Sequence, residues 1–344
     1  MMSSKFVATL LLGLGLSTAA QAQDFLAYFH GNRDSLVAAA TRMVHTPPPA
    51  FTAPPPPAAL APAAAYPLRH RYFKARDGGR LHTARYGRRS PHTILLLHGV
   101  GASGAALHEA AGRLQQATGA EVYALDLRGH GRSTGRAGDV DYIGQYADDV
   151  ADVVAALRRD KPQGKLVLAG HSMGGGIALR YGQQAGPRVD GLLLLAPLLG
   201  HDSPALAAAP RPAGPATASG PDFMRVHIGR IIGLKMLNSV QLHQHDSLPV
   251  LFLNVPPAAP LRHYSYRANA SMAPEHYAAG LRAVTGPLLV LVGGQDEVFA
   301  AAAQRRAVQA HSRGQVEVVA GASHNGLCRE ARTFQVVREW FARL

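Results

Sequence analysis

The chain has 344 residues, of which 47 % are hydrophobic and 17 % charged. This excludes a wholly disordered or fibrous protein and leaves room for one large α/β domain with appendages. The formal net charge is +13, but only five of the 35 basic residues are lysines, the arginines are scattered and no block of five consecutive positive charges occurs, so the composition argues against nucleic-acid binding.

Taken in chain order, the first elements concern targeting. In residues 1–22, Lys5 gives a positive start, Phe6 to Ser17 is an apolar stretch, and Ala20-Gln21-Ala22 supplies the small-x-small pattern of a cleavage site. The expectation is a removable export signal, a mature chain beginning near Gln23, and a periplasmic or secreted protein. The apolar stretch is too short to cross a hydrocarbon core of about 30 Å as a helix. Cys328 is the single cysteine and can form no intramolecular disulfide. Residues 24–45 carry a mildly helical pattern (Phe25, Leu26, Phe29, Leu36, Val37, Met43), and residues 46–67 are dominated by Pro and Ala, as an extended spacer is. Residues 23–67 therefore read as an N-terminal segment and linker ahead of a unit spanning 68–344.

From Leu68 the pattern becomes regular. Alternating residues flank Asp77-Gly78-Gly79, as in a hairpin. Thr93 to Leu97, Val122 to Leu127, Lys165 to Ala169, Gly191 to Leu195, Leu288 to Val292 and Val316 to Val319 are short apolar runs that read as strands. Helical stretches separate them: Ala105 to Thr118, Ile143 to Asp160, Met173 to Gln184 and Ala300 to His311, with a last one from Arg329. The Ile143–Asp160 stretch puts Tyr146, Val150, Val153, Val154 and Leu157 on one face. Apolar strands alternating with helices predict a mostly parallel sheet covered on both faces, with chemistry at the carboxyl ends of the strands.

Gly170-His171-Ser172-Met173-Gly174 fits G-x-S-x-G. A sharp strand-to-helix turn needs small residues two before and two after the serine, so Gly170 and Gly174 form an elbow from which Ser172 projects. A serine hydroxyl is a weak nucleophile until a base accepts its proton and an acid orients that base. Asp296 lies just past the Leu288 run and is the expected acid, with Glu297, one residue on, expected to face elsewhere. His324 lies past the Val316 run and is the expected base, whereas His311 falls inside a helix. Backbone N–H groups of Met173 and of Val100, in the His98-Gly99-Val100-Gly101 loop, are the expected oxyanion donors; His98 itself reads as a loop-holding residue with no catalytic part.

These residues together resemble the α/β-hydrolase fold, and within it the lysophospholipase, monoacylglycerol lipase and serine aminopeptidase branch. The resemblance rests on Leu97-His98-Gly99, Asp126-Leu127-Arg128-Gly129-His130-Gly131-Arg132-Ser133, the Gly170–Gly175 elbow, Gly294-Gln295-Asp296 and Ser323-His324, spread over 68–344. It implies a mostly parallel sheet with helices on both faces and a cap inserted at about 198–286. It also implies that Asp126 to Ser133 is a structural loop shaping the site and Asp149 a structural carboxylate.

In the insertion the composition shifts towards Pro, Ala and His. Phe223 to Leu237 is apolar with Arg225, Arg230 and Lys235 interspersed, and these basic positions share no helical face, so a lid over an apolar pocket is favoured over a membrane-surface helix. His243 and His245 have no third partner that would make a metal site. The expected activity is hydrolysis of a small-molecule or lipid carboxylic ester through an acyl-enzyme, without cofactor or metal, with peripheral contact to a lipid surface as a secondary expectation. Two rival readings are an aminopeptidase-like hydrolase, which needs an acidic anchor in the cap, and a non-catalytic binding protein of the same fold.

Overall fold

The computed structural model describes residues 33–51, 66–184, 186–207 and 223–344. The export signal and the middle of the Pro/Ala spacer lie outside the described residues. In chain order the elements are α1 (Arg33–Val44), the hairpin β1 (Leu68–Lys74) and β2 (Arg80–Tyr86), β3 (Thr93–Leu97), α2 (His108–Thr118), β4 (Glu121–Leu125), α3 (Gln145–Asp160), β5 (Leu166–His171), α4 (Met173–Tyr181) and β6 (Gly191–Leu195). The chain then leaves the main sheet for α5 (Pro204–Ala207), β7 (Met224–Val226), α6 (Ile228–Ser239), β8 (Pro249–Leu253), β9 (His263–Ser265), α7 (Tyr266–Ser271) and α8 (Tyr277–Ala283). It returns through β10 (Leu288–Gly293), α9 (Ala301–His311), β11 (Gln315–Val319) and α10 (Ala331–Ala342).

Eight strands form the main sheet in the order β1-β2-β4-β3-β5-β6-β10-β11. The pairs β1–β2 and β2–β4 are antiparallel, and every later neighbour pair is parallel. All residues of β3, β4, β5, β6 and β10 are buried, because helices cover both faces of the parallel region. Alternation along β3 divides the core: Leu95 and Leu97 join the cluster that includes Val150, Val154 and Leu157 of α3 and Ile177 of α4. Ile94 and Leu96 join Ala111 and Leu114 of α2 and Phe334, Val337 and Trp340 of α10 on the other face. The α3 face read from the sequence (Tyr146, Val150, Val153, Val154, Leu157) is buried throughout.

The described part of the insertion is more ordered than its composition suggests. Phe223 to Leu237 is not one helix: Met224–Val226 is a strand, and the helix starts at Ile228 with the His227 side chain accepting the Arg230 N–H. β7, β8 and β9 form a separate antiparallel sheet. Helix α1 docks on this cap, burying Ala40 and Val44 completely against Ile232, Leu234, Leu237 and Val250. Arg230 fixes the dock by donating from Nε to the Val44 carbonyl (2.8 Å), from Nη2 to the Thr46 carbonyl (3.0 Å) and from Nη1 to the Pro249 carbonyl (2.6 Å).

Candidate active site

The carboxyl ends of β5, β10 and β11 carry Ser172, Asp296 and His324. Ser172 sits at φ 54, ψ −116, a left-handed conformation that costs a non-glycine residue about 1–3 kcal/mol and persists only where surrounding structure enforces it. The enforcement is visible. A Cβ on Gly170 would lie 2.2 Å from the Gly174 carbonyl oxygen, and one on Gly174 would lie 2.4 Å from the Leu97 carbonyl oxygen, so any larger residue would force the elbow apart. The Ser172 backbone is tied to the sheet by its N–H to the Leu195 carbonyl (3.0 Å) and by its carbonyl, which accepts from Leu198 N (2.9 Å) and Gly176 N (3.1 Å).

His324 is buried, and its Nδ1 lies 2.9 Å from Asp296 Oδ2. The other oxygen of Asp296 accepts the N–H groups of Val298 and Phe299, both at 2.8 Å. Those two bonds make a turn after Asp296, and the turn redirects Glu297. It was expected to face elsewhere; instead its Oε2 accepts the backbone N–H of His324 at 2.9 Å. His171, the unassigned residue of the elbow pentapeptide, supplies the opposite restraint. Its Nε2–H donates to the His324 carbonyl (3.1 Å), and its ring lies against the His324 ring with centroids 4.8 Å apart. Burial, and secondarily the neighbouring His324 imidazole, pull the His171 pKa down to about 3, so the ring is neutral and acts as a donor and spacer. His324 is thus clamped at its backbone N–H by Glu297, at its carbonyl by His171 and at its ring by Asp296.

No hydrogen bond joins the Ser172 hydroxyl to His324 among the described residues. Such bonds tighten when substrate binds. The loop after β3 closes the other side of Ser172: a Cβ on Gly99 would stand 3.3 Å from Ser172 Cβ. His98 holds that loop, as expected, and does no more. Its Nδ1–H donates to the Gly99 carbonyl (2.9 Å) and its Nε2 accepts the Leu127 N–H (3.1 Å), and burial lowers its pKa to about 4. Among the described hydrogen bonds outside helices and strands, neither Val100 N nor Met173 N donates to a carbonyl.

The Asp126–Ser133 loop is internally wired. Asp126 accepts from Gly104 N (2.7 Å), Arg132 N (2.8 Å) and His82 Nδ1 (2.8 Å). Arg128 makes a bidentate pair with Asp149 (2.8 and 2.6 Å) and a third contact with Asp77 (2.7 Å). Both carboxylates are therefore structural. In the cap, His243 pairs with Asp246 (3.2 Å) and His245 lies edge-on to His45. A cavity of about 550 Å³ lined by Arg71, Arg85, Arg89, Glu121 and Lys161 opens at the amino-terminal end of the strands, away from Ser172. Glu297 and His171 were missed from the sequence as site residues; adjacency to Asp296 and Ser172 was the available signal. Tyr264, discussed below, gave no signal at all.

The profile of the serine aminopeptidase, S33, family matches residues 89–252. A monoacylglycerol lipase of Mycolicibacterium smegmatis is 36 % identical over 118 residues, 33 % of this chain and 42 % of that one. The human monoglyceride lipase is 32 % identical over 106 residues, covering 31 % and 35 %. The chain thus spans less than half the length of these curated relatives. Among solved structures, a thermophilic esterase from Thermogutta terrifontis superposes with a TM-score of 0.55 at 24 % identity, covering 80 % of this chain and 98 % of that one. A bacterial membrane phospholipase A does so with a TM-score of 0.53 at 19 % identity, covering 99 % of each. At these identities the structural likeness establishes the fold.

Proposed function

We propose, from the premise that this chain is an α/β hydrolase, that it is a serine hydrolase cleaving carboxylic esters through an acyl-enzyme. Ser172 attacks the ester carbonyl while His324 takes its proton. The N–H groups of Val100 and Met173 receive the oxyanion, which such donors stabilise by about 2.7–4 kcal/mol each. His324 then protonates the leaving alcohol and later activates water, with Asp296 holding the imidazole in the tautomer that leaves Nε2 free to accept. The observation that carries the reading is the strained Ser172 elbow on β5 next to a buried His324–Asp296 pair at 2.9 Å. The mycobacterial and human relatives are named as lipases of monoacylglycerol, which supports a lipid-like ester with an apolar acyl group. Val100, Phe223 and Leu253 share one apolar cluster, and Phe223 and Leu253 lie against Gly101 of the loop after β3.

Peptide hydrolysis at a free amino terminus fits less well. It needs a carboxylate for the substrate amine, and the described cap residues offer few: Asp202 and Asp246 are bonded to Tyr277 N and Asn238 Nδ2 respectively, which leaves the exposed Glu275. The reading also takes the chain as exported, with its mature form starting near Gln23; N-terminal sequencing of the envelope-fraction protein checks that. An acyl-length series of p-nitrophenyl esters run beside an aminoacyl-arylamide panel tests the activity. Ester turnover that disappears in Ser172→Ala, with the arylamides untouched, is the expected result, and arylamide turnover above ester turnover would reject it.

A further inference from the structure

The geometry points to Tyr264, in the cap, as the positioning residue of the oxyanion loop. This deepens the ester-hydrolase reading and rests on it. Tyr264 lies on β9 and is completely buried, far in sequence from every residue so far given a part in the reaction. Its hydroxyl oxygen accepts the backbone N–H of Gly101 at 2.8 Å. It also lies 2.8 Å from His130 Nε2, and His130 Nδ1 lies 2.8 Å from the Arg128 carbonyl. A carbonyl can only accept, so Nδ1 carries the imidazole proton. The ring is neutral, since burial and the adjacent His98 pull its pKa down to about 3, and Nε2 is therefore an acceptor. The directions are then fixed along the whole chain of bonds: Gly101 N–H to Tyr264, Tyr264 O–H to His130, His130 N–H to Arg128.

This fixes an amide next to the one that matters. Gly101 has φ +70, and a Cβ on it would stand 3.1 Å from Phe223 Cζ and 3.3 Å from Leu253 Cδ1, so the loop is pressed against the cap as well as bonded to it. The Ala102 N–H to Gly99 carbonyl bond (3.3 Å) and the His98 Nδ1–H to Gly99 carbonyl bond (2.9 Å) close the turn on its other side. With the Gly99 carbonyl held by His98 and the Gly101 N–H by Tyr264, the Val100 amide lies between two fixed residues and donates no described backbone bond. Removing the Tyr264 hydroxyl takes away one of the two anchors. It leaves the elbow, the base and the acid as they are.

The test is Tyr264→Phe, which keeps the ring and its packing. In the full chain the expected result is a cooperative melt and retained fluorophosphonate labelling at Ser172. Its kcat should fall at least about tenfold, in proportion to a loss of affinity for an aryl boronic acid, because an oxyanion contact acts on the transition state. KM should change less than about twofold. Unchanged kcat, or a rise in KM alone, overturns the proposal. Should Tyr264→Phe fail to fold, His130→Gln and His130→Leu carry the test. Gln offers the hydroxyl an acceptor and Leu does not, so His130→Gln is expected to retain at least several-fold more kcat than His130→Leu, and equal values overturn the proposal. If the wild-type chain has no ester turnover, the failure belongs to the activity and not to the anchor. Amide hydrogen exchange at Gly101 then decides: faster exchange in whichever of Tyr264→Phe and His130→Leu folds supports the anchor, and unchanged exchange removes it.

Discussion

The half of the site borne by the main sheet and the half borne by the cap are built in different ways. On the sheet, each candidate residue lies just beyond the carboxyl end of a strand: Ser172 after the buried β5, Asp296 after the buried β10, and His324 after the partly exposed β11. Short-range constraints then aim it, such as the glycines at either end of the elbow pentapeptide and the turn that Asp296 makes with its own successors. In the cap the contacts that reach the rest of the chain are long-range. Tyr264 meets Gly101, Arg230 meets Val44 and Thr46, and Phe223 presses on the oxyanion loop. On the proposed reading the sheet carries the reacting groups, and the cap restrains the loop that carries one oxyanion donor. A change on the sheet should therefore act on chemistry with the fold intact, and one in the cap should loosen structure first.

The sharpest way to probe that division is Asp296→Asn. The geometry is retained but the imidazole loses the partner that selects its tautomer, and kcat should fall by about 10⁴ with an unaltered melting profile. Steady-state kinetics on a short-chain ester reads it; a loss below tenfold would mean that Asp296 is not the orienting acid.

Acid should weaken the sheet half. His98, His130 and His171 are held neutral by burial, at pKa values of about 4, 3 and 3, against an ordinary value near 6.5. The unfolded chain binds protons that the folded one refuses, so their contribution is complete above about pH 6.5 and is lost as pH falls towards 3–4. Each ring adds up to about 1.4 kcal/mol per pH unit in that window. Chemical denaturation between pH 7 and 5 should show stability falling with pH, and replacing His98 with Gln should flatten the slope.

In the cap, Arg230→Met keeps an apolar stem and takes the guanidinium donors from the Val44 and Pro249 carbonyls, while the Thr46 carbonyl keeps His227 Nε2. About 1–3 kcal/mol for a buried polar group left unpaired should appear as early proteolysis of residues 33–51 or of α6, with the main-sheet melt little changed. Loss of the whole fold in one transition would merge the two regions. The mildest expected effect is at Glu297. Removing its carboxylate in Glu297→Ala should lower kcat about tenfold by freeing the His324 backbone, a loss of about 1.4 kcal/mol. Glu297→Gln, whose amide oxygen can still accept the N–H, should restore most of it. Equal losses in the two would point to charge and not to the hydrogen bond.

The same contrast explains what the sequence made legible. β3, β5, β6 and β10 were readable to within a residue or two because each is a short apolar run with both faces buried. The elbow was readable because its steric requirement is confined to five residues. Asp296 and His324 followed from their place after strands. β7 and β9 were not readable, since three-residue strands carry too few positions for alternation to register. The docking of α1 on α6 joins segments nearly two hundred residues apart and leaves no periodic trace in either. Glu297 was misjudged because strand alternation was extended into a turn. The net charge of +13 also reads differently once contacts are known. Arg128, Arg180 and Arg230 are internal hydrogen-bond donors to carboxylates and carbonyls, so part of the arginine content wires loops together and is not a surface for an anionic partner.

Whether Ser172 is the activated nucleophile is tested most directly by intact-mass and peptide mapping after treatment with a fluorophosphonate. The expected result is a single adduct on the peptide containing Ser172, absent from Ser172→Ala and strongly slowed in His324→Ala. No adduct on the folded wild-type chain, or an adduct on another residue, would contradict it.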